Sequence, residues 1–179
     1  MTASVCDWTT DAFTVIRDHD LSLVTHVPDA AHAPLIERCE ECESMNVVGL
    51  TTEEEGVGLL AGAWAGGRKG ILLMQSSGVG NCVNAFSLVA TCRIPLLVLV
   101  AMRGEWGELI PWQVPMGKGV SKVLGAMGIH VLRVDSPEEV GVTIEAASNM
   151  AFNTRQGVAV LLSQRLIGAK QFDEEQESC

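Results

Sequence analysis

The chain has no tyrosine, and aromatic residues make up only 4% of its 179 residues. Glycine is abundant instead, with 18 copies, which suits close packing and tight loops better than an aromatic ligand cage. Basic residues are also scarce, because 12 Lys and Arg stand against 22 Asp and Glu and give a net charge of −10. Phosphate binding needs a basic face, so we expect no nucleic-acid partner.

Long hydrophobic runs are missing as well. Residues 94–102 are apolar but too few to span a bilayer, and Pro95 interrupts them. The first residues carry an early acid and no signal-like apolar core. We therefore expect a cytoplasmic chain that has no membrane partner.

The six cysteines are expected to be reduced thiols, because nothing in the sequence indicates secretion. Cys39 and Cys42 have a Cys-x-x-Cys spacing, but no second ligand pair lies at zinc-finger distance and no βα redox context surrounds them. A metal or redox role stays open beside the simpler interpretation, which is two thiols on one helix face.

Short apolar segments alternate with helical stretches along the chain. The pattern predicts strands at residues 21–27, 46–50, 70–75, 96–102, 129–134 and 158–163. It predicts helices at residues 8–20, 29–44, 81–92, 120–127 and 137–153. Apolar strands between helices indicate a parallel sheet that is covered on both faces. We expect an α/β fold, a single three-layer domain over residues 1–170 with a central, mostly parallel sheet of about six strands and helices on both faces, followed by an acidic tail at 171–179.

Several polar loops follow the strands of this sheet. They comprise residues 28–29, 51–53, 75–81 and the Trp- and Pro-containing loop 104–117, which begins after Arg103. Ligands of open α/β sheets bind beyond the carboxyl ends of the strands. These loops are therefore expected to share one edge of the sheet and to form the site.

Three consecutive carboxylates, Glu53, Glu54 and Glu55, precede a segment that carries no other charge until Arg68. They fit a capping box in which Thr52 caps a helix and Glu55 reaches back to it, and acids in a first turn also suit the helix dipole. Successive helical positions point about 100° apart, however, so the three carboxylates cannot share one environment. One of them can point inward to the strand edge, where a buried carboxyl serves chemistry.

The segment Met74-Gln-Ser-Ser-Gly-Val-Gly-Asn81 can present backbone N–H groups of Gly78 and Gly80 to an anion. A dinucleotide fingerprint needs a third glycine where this chain has Val83, so a tight βα turn is the alternative.

Arg103 emerges from an apolar strand, where it can meet an acidic ligand or form a salt bridge with Glu105 or Glu108. His26 and His32 flank Pro28-Asp29, and such isolated histidines are more often structural than catalytic.

The spaced motifs recur in a recognisable order. The run Thr52-Glu-Glu-Glu-Gly-Val-Gly … Ala61-Gly62, then Met74-Gln-x-Ser-Gly-x-Gly-Asn-x-x-Asn84, then Arg103-Gly104 and Gln113-x-Pro-Met-Gly117 resembles the pyrimidine-binding domain of thiamine-diphosphate enzymes. Within that superfamily it is most similar to the sulfopyruvate and phosphonopyruvate decarboxylases, in particular to separate α subunits of the former. The likeness extends over residues 27–163.

The resemblance implies roles for individual residues. Glu53 matches the glutamate that hydrogen-bonds the N1′ atom of the cofactor's aminopyrimidine, and Asp29 is placed near the substrate as a second catalytic residue. The residues expected to line the cofactor site are Gln75, Ser77, Gly78, Gly80 and Asn81. The residues expected to bind the substrate are Arg103, Asn84, Gln113 and, as a further candidate, Lys118.

The Gly-Asp-Gly segment that holds Mg²⁺ and the diphosphate in these enzymes does not occur in this chain. The resemblance therefore implies a separate diphosphate-binding β subunit that binds the Mg²⁺, thiamine diphosphate at the shared site, and an α₂β₂ or larger hetero-oligomer. The expected substrate is a small anionic 2-oxo acid, either 3-sulfopyruvate, which gives sulfoacetaldehyde and CO₂, or phosphonopyruvate. A non-catalytic regulatory or scaffold subunit and a nucleotide-binding module are the alternatives.

Overall fold

The computed structural model describes residues 7–169, and the predicted tail at 171–179 lies outside them. The strands are β1 Leu23–His26, β2 Asn46–Gly49, β3 Gly70–Gln75, β4 Leu96–Ala101, β5 His130–Val134 and β6 Gly157–Leu162. The helices are α1 Trp8–Asp18, α2 Ala33–Glu40, α3 Glu53–Ala65, α4 Ser76–Asn81, α5 Phe86–Cys92, α6 Gln113–Ala126, α7 Val140–Thr154 and α8 Gln164–Ile167, with a 3₁₀ turn at Pro137–Glu139.

The strands form one six-stranded sheet in the order β2-β1-β3-β4-β6-β5, and every neighbouring pair is parallel. Residues of β4 alternate between two cores, since Leu97 and Leu99 pack with α1, α2 and α7 while Val98 and Val100 pack with α3, α5 and α6. All of β4 and β6 is buried, which explains their unmixed apolar composition. The predicted α/β fold with helices on both faces is confirmed.

The segment after β3 differs from its prediction as a loop at 75–81 followed by one helix at 81–92. Helix α4 begins directly after β3, and a turn separates it from α5. Gly78 and Gly80 are not among the glycines with positive φ, so neither forms a left-handed turn. The glycine at 78 serves close packing instead, as the site geometry shows.

Helix α6 is longer than predicted, because it begins at Gln113 inside the predicted loop 104–117. Pro115 lies in its first turn, where a backbone N–H has no partner within the helix and proline is tolerated. Helices α1 and α2 are shorter than predicted. Asp20, just beyond α1, adopts a left-handed φ of 56°, and α2 begins only at Ala33, with a proline in its first turn.

None of the helices within residues 7–169 combines the length and the apolar character that crossing a membrane requires.

Candidate active site

Four segments that follow strands meet at the carboxyl edge of the sheet. The chain passes from β1 to β2 on one side and then returns to β3 and β4 on the other side, so the strand order reverses between β1 and β3. A crevice at such a switch point is where open α/β sheets bind ligands. The predicted loops lie at this edge, and hydrogen bonds join them in pairs.

Glu53 is the buried member of the glutamate triplet. It is the first residue of α3 and only 7% exposed, while Glu54 and Glu55 are exposed. The Asn81 side chain donates from Nδ2 to Glu53 Oε2 over 2.8 Å. A Cβ atom on Gly78 would collide with Cδ and Oε1 of Glu53, so the absence of a side chain at 78 makes room for the carboxyl group.

The predicted capping box between Thr52 and Glu55 is not formed. Thr52 is the N-cap residue of α3, but its side chain makes no capping hydrogen bond. Glu55 does reach back, but its Oε2 accepts from the backbone N–H of Thr51 over 2.9 Å rather than from Thr52. The prediction that Thr52 and Glu55 cap one another is therefore wrong, and Glu55 instead bonds to the backbone one residue earlier.

A chain of amide and carboxyl groups crosses the switch point. Gln75 Nε2 donates to Asp29 Oδ1 over 2.6 Å, and Gln75 Oε1 accepts from Gln113 Nε2 at 3.3 Å and from Ser77 Oγ at 3.4 Å. These bonds define one consistent orientation of the Gln75 amide. Four predicted site residues from three separate motifs are thereby brought together.

Asp29 is held as a carboxylate although it is buried, with only 8% of its surface exposed. Burial alone raises the pKa of Asp29, but the His32 imidazole, the Gln75 amide and the backbone N–H of Ala31 together hold that pKa below its usual range. The residue borders two cavities, one of about 170 Å³ that it shares with Arg103 and one of about 390 Å³ on the side of α2. The structure thus presents an ionised group to open space at the switch point.

The charge of Arg103 is already paired. Its Nε and Nη2 each donate to a carboxylate oxygen of Glu108 over 2.9 Å, and both side chains are buried. Arg103, together with the backbone N–H groups of Gly104 and Ile110 and the amide of Gln164, lowers the pKa of Glu108 to about 2. The salt bridge considered as an alternative is formed, and a substrate role for Arg103 stays a prediction.

The remaining predicted site residues lie farther from this network. Gly80 is exposed, and a Cβ there would make only an ordinary contact with Met116. Asn84 and Lys118 are also exposed, and within residues 7–169 neither makes a hydrogen bond to another predicted site residue. Their binding roles stay predictions.

Sequence reasoning missed two parts of the network. Ser76 is fully buried, and its Oγ accepts from the backbone N–H of Arg103 over 3.1 Å. Gln164 is also fully buried, and its Oε1 accepts from the backbone N–H groups of Glu105 and Trp106. Gln164 follows β6, so the strand-end argument applied to the first four strands could have found it.

Cys39 and Cys42 lie in different surroundings. Cys39 is buried in α2, where burial raises the pKa of its thiol to about 12, whereas Cys42 lies beyond the helix with its Sγ 3.2 Å from Ser44 Oγ. The two thiols therefore do not share one helix face. Among the described residues, no three His, Cys, Asp or Glu side chains are grouped as a metal site.

Known proteins resemble this chain in sequence and in fold. The chain is 37% identical to a protein named sulfopyruvate decarboxylase subunit alpha from Methanococcus maripaludis, over 84% of this chain and 90% of that one. The protein of the same name from Methanocaldococcus jannaschii is 35% identical over 83% and 89% of the two chains. A phosphonopyruvate decarboxylase from Streptomyces hygroscopicus is 29% identical, over 87% of this chain and 39% of its own length.

Among solved structures, a 2-oxoglutarate:ferredoxin oxidoreductase from Magnetococcus marinus has the same fold, with a TM-score of 0.70 at 14% identity over 94% of this chain and 33% of that one. No protein-family model matches the chain.

The fold, the buried carboxylates at the switch point and these relatives define a subunit of a decarboxylase. At 37% identity over nearly the whole length of its relative, the chain belongs to the sulfopyruvate decarboxylase α-subunit family.

Proposed function

We propose that the chain is the α subunit of a thiamine-diphosphate-dependent decarboxylase. It converts 3-sulfopyruvate and a proton to sulfoacetaldehyde and CO₂, together with a separate β subunit that binds the diphosphate and Mg²⁺. The observation that carries the proposal is the Glu53 carboxyl, which is buried at the switch point, oriented by Asn81 and seated against Gly78.

The residues present fit the aminopyrimidine end of the cofactor. Glu53 Oε2 is engaged by Asn81, and no residue of the described chain donates a hydrogen bond to Oε1. The cofactor, when bound, supplies an electron sink for the electrons released with CO₂. Glu53 would hold a proton at its carboxyl group against N1′, and Asn81 would fix the direction in which that carboxyl points.

Asp29 fits an acid–base role toward the substrate. Decarboxylation of a 2-oxo acid to an aldehyde consumes one proton at the carbon that carried the carboxyl group, and the ionised Asp29 would relay this proton by taking it up from solvent and passing it on. Asp29 borders both cavities, and Gln75 fixes its Oδ1 by a short hydrogen bond. The amide of Gln75 bonds to Asp29 and to the amide of Gln113, and both amides would help to orient the substrate beside Asp29.

The anionic end of the substrate needs hydrogen-bond donors that do not already bond to other residues of the chain. Arg103 borders the smaller cavity but is paired with Glu108, so it offers directional N–H groups rather than net charge. Lys118 is exposed in α6 and is the second candidate. We propose that both contribute, with residues of the partner completing the pocket.

The partner is inferred from the relatives' names and lengths. The relatives are named subunit alpha, and the single-chain phosphonopyruvate decarboxylase is far longer, so that this chain covers only 39% of it. We propose that a β subunit supplies the corresponding missing part, in an α₂β₂ or larger assembly. The Mg²⁺ belongs to that subunit in this proposal, because residues 7–169 contain no metal-ligating group of three side chains.

Phosphonopyruvate is the second candidate substrate, and the 29% identity to a phosphonopyruvate decarboxylase favours including it. The test is co-expression with the product of the adjacent reading frame, followed by CO₂ release from both substrates with thiamine diphosphate and Mg²⁺ present. We expect turnover of sulfopyruvate, with phosphonopyruvate slower. An assembled complex that releases CO₂ from neither substrate contradicts the proposal.

A further inference from the structure

Unpartnered polar atoms concentrate on one segment beside the site. In residues 7–169, His26 Nδ1, Asp29 Oδ2 and both ring nitrogens of His32 are buried and have no hydrogen-bond partner. Buried polar atoms in folded proteins almost always have one, so such a cluster calls for a functional explanation. The active-site argument above uses His32 only as an influence on the pKa of Asp29 and does not use His26.

His32 lies behind Asp29 as seen from the cavities. It is fully buried, and its backbone N–H donates to the Asp29 carbonyl over 3.1 Å, which closes the turn before α2. Its Nδ1 is 3.4 Å from Asp29 Oδ2, a contact that lacks the alignment of a hydrogen bond. The opposite oxygen of Asp29 is bonded to Gln75, so the carboxylate lies between a core imidazole and a site amide.

We infer that His32 is a positioning residue for Asp29. Its Nδ1 faces Oδ2, keeps the carboxylate ionised and leaves Oδ1 directed at Gln75 and the site. His32 borders neither cavity that Asp29 borders, so it acts through Asp29 rather than on a ligand. The inference rests on the proposed function where it concerns catalysis, but the coupling of His32 to Asp29 is a property of this chain alone.

Among the neighbours of the Asp29 carboxyl, His32 does most to favour the ionised form. Burial opposes ionisation and His32 is the largest influence that favours it, followed by Gln75 and the backbone N–H of Ala31. The other charged or titratable groups nearby are His26 on β1, Glu37 and Glu40 on α2, and Arg103 after β4. From α1, the uncharged Trp8 ring meets His32 edge-on, with 6.5 Å between centroids.

A purely structural turn is the competing explanation. In that case His32 fills space under the loop, and any side chain of similar volume would serve. Asparagine and leucine separate the two explanations, because the asparagine amide can place an N–H near the Nδ1 position while leucine fills the space without a donor. Glutamine provides a donor one bond farther out, near the Nε2 position.

The first measurement uses the isolated chain. Carbon-13 NMR follows the Asp29 carboxyl through a pH titration, with Asp29→Asn to assign the signal. We expect His32→Leu and His32→Gln to move the midpoint of Asp29 to higher pH, while His32→Asn stays near the wild type. His19→Asn is the matched control, since His19 also contacts a side chain through Nδ1, at 3.2 Å from Ser148, but on the α1–α7 side.

The second measurement is the pH profile of kcat in the assembled complex. Because misplacing a reacting group by about 1 Å can cost about 100-fold in rate, we expect kcat to fall by about 10- to 100-fold in His32→Leu, with an acid limb at higher pH and little change in KM. An unchanged Asp29 midpoint in His32→Leu overturns the inference, as does an asparagine variant that behaves like leucine. A shifted midpoint in a chain whose wild-type complex is inactive would refute the proposed function but leave the His32–Asp29 coupling established.

Discussion

The contact between Gly78 and Glu53 makes Gly78→Ala a sharp test of the site. A Cβ at 78 would collide with the carboxyl end of Glu53, with Cγ 2.6 Å away. Overpacking costs about 1–3 kcal/mol, and the lower end applies because the colliding atoms belong to the end of one side chain. Exchanging a helical glycine for alanine contributes about 0.5–1 kcal/mol in favour of folding. The two effects nearly cancel in the free energy of unfolding.

The activity should respond far more strongly than the stability. The collision is relieved by displacing the Glu53 carboxyl, and a misplacement of about 1 Å at a reacting group can cost about 100-fold in rate. About 1 kcal/mol shifts the Tm of a domain of this size by about 2–4 °C, so we expect the nearly cancelling effects in Gly78→Ala to change the Tm by less than about 2 °C. We expect kcat to fall about 100-fold. The assays are thermal unfolding and CO₂ release by the assembled complex.

Gly125→Ala is the matched control, because Gly125 lies in α6 with open space around its Cβ position. It should raise the free energy of unfolding by about 0.5–1 kcal/mol and leave turnover unchanged. If Gly78→Ala instead behaves like this control, with higher stability and full activity, the carboxyl of Glu53 does not rest against Gly78 and the reasoning fails.

Three further outcomes follow from the structure. Glu108→Ala leaves the buried Arg103 guanidinium without its partner and should lower the free energy of unfolding by about 3–5 kcal/mol in urea denaturation; a loss under 1 kcal/mol contradicts the buried pair. Arg103 lowers the pKa of Glu108 from 4.5 to about 2. The pair therefore stabilises the fold fully above pH 4.5, and this stabilisation is lost as the pH falls toward 2. Glu108→Gln should remove that part of the pH dependence of the free energy of unfolding. Thiol labelling at pH 8 with mass mapping should modify the exposed Cys92 and spare Cys39 and Cys82, whose pKa values burial raises to about 12; rapid labelling of Cys39 in the folded chain contradicts its burial.

The sheet could be predicted from the sequence because its strands are short, apolar and separated by helices. All six predicted strands occur, with ends that differ by a few residues. The segment after β3 could not be predicted, since closely spaced glycines are typical of turns, whereas Gly78 lies in a helix and leaves room for the Glu53 side chain. That contact is a tertiary contact between residues far apart in the sequence.

The part of the candidate site that lies in segments following the strands could be predicted from the sequence. Hydrogen bonds join Asp29, Gln75 and Gln113, and a separate one joins Glu53 to Asn81, in segments that parallel strands bring to one edge. The pairing of Arg103 with Glu108 was one of two open alternatives, because the sequence does not show how the intervening loop folds back. The burial of His32 behind Asp29 depends on the packing of α1 and α2 and has no clear sequence signal.

The most direct test of the central claim compares Glu53→Gln with Glu54→Gln in the assembled complex. Both variants remove one carboxylate from the same helical turn, but only Glu53 is buried against Asn81 and Gly78. We predict that Glu53→Gln lowers kcat for sulfopyruvate by about 10²- to 10⁴-fold, the range of a lost acid–base group, with the complex intact, and that Glu54→Gln keeps wild-type turnover. Equal activity in Glu53→Gln and the wild type would contradict the account and favour a scaffold role for this chain.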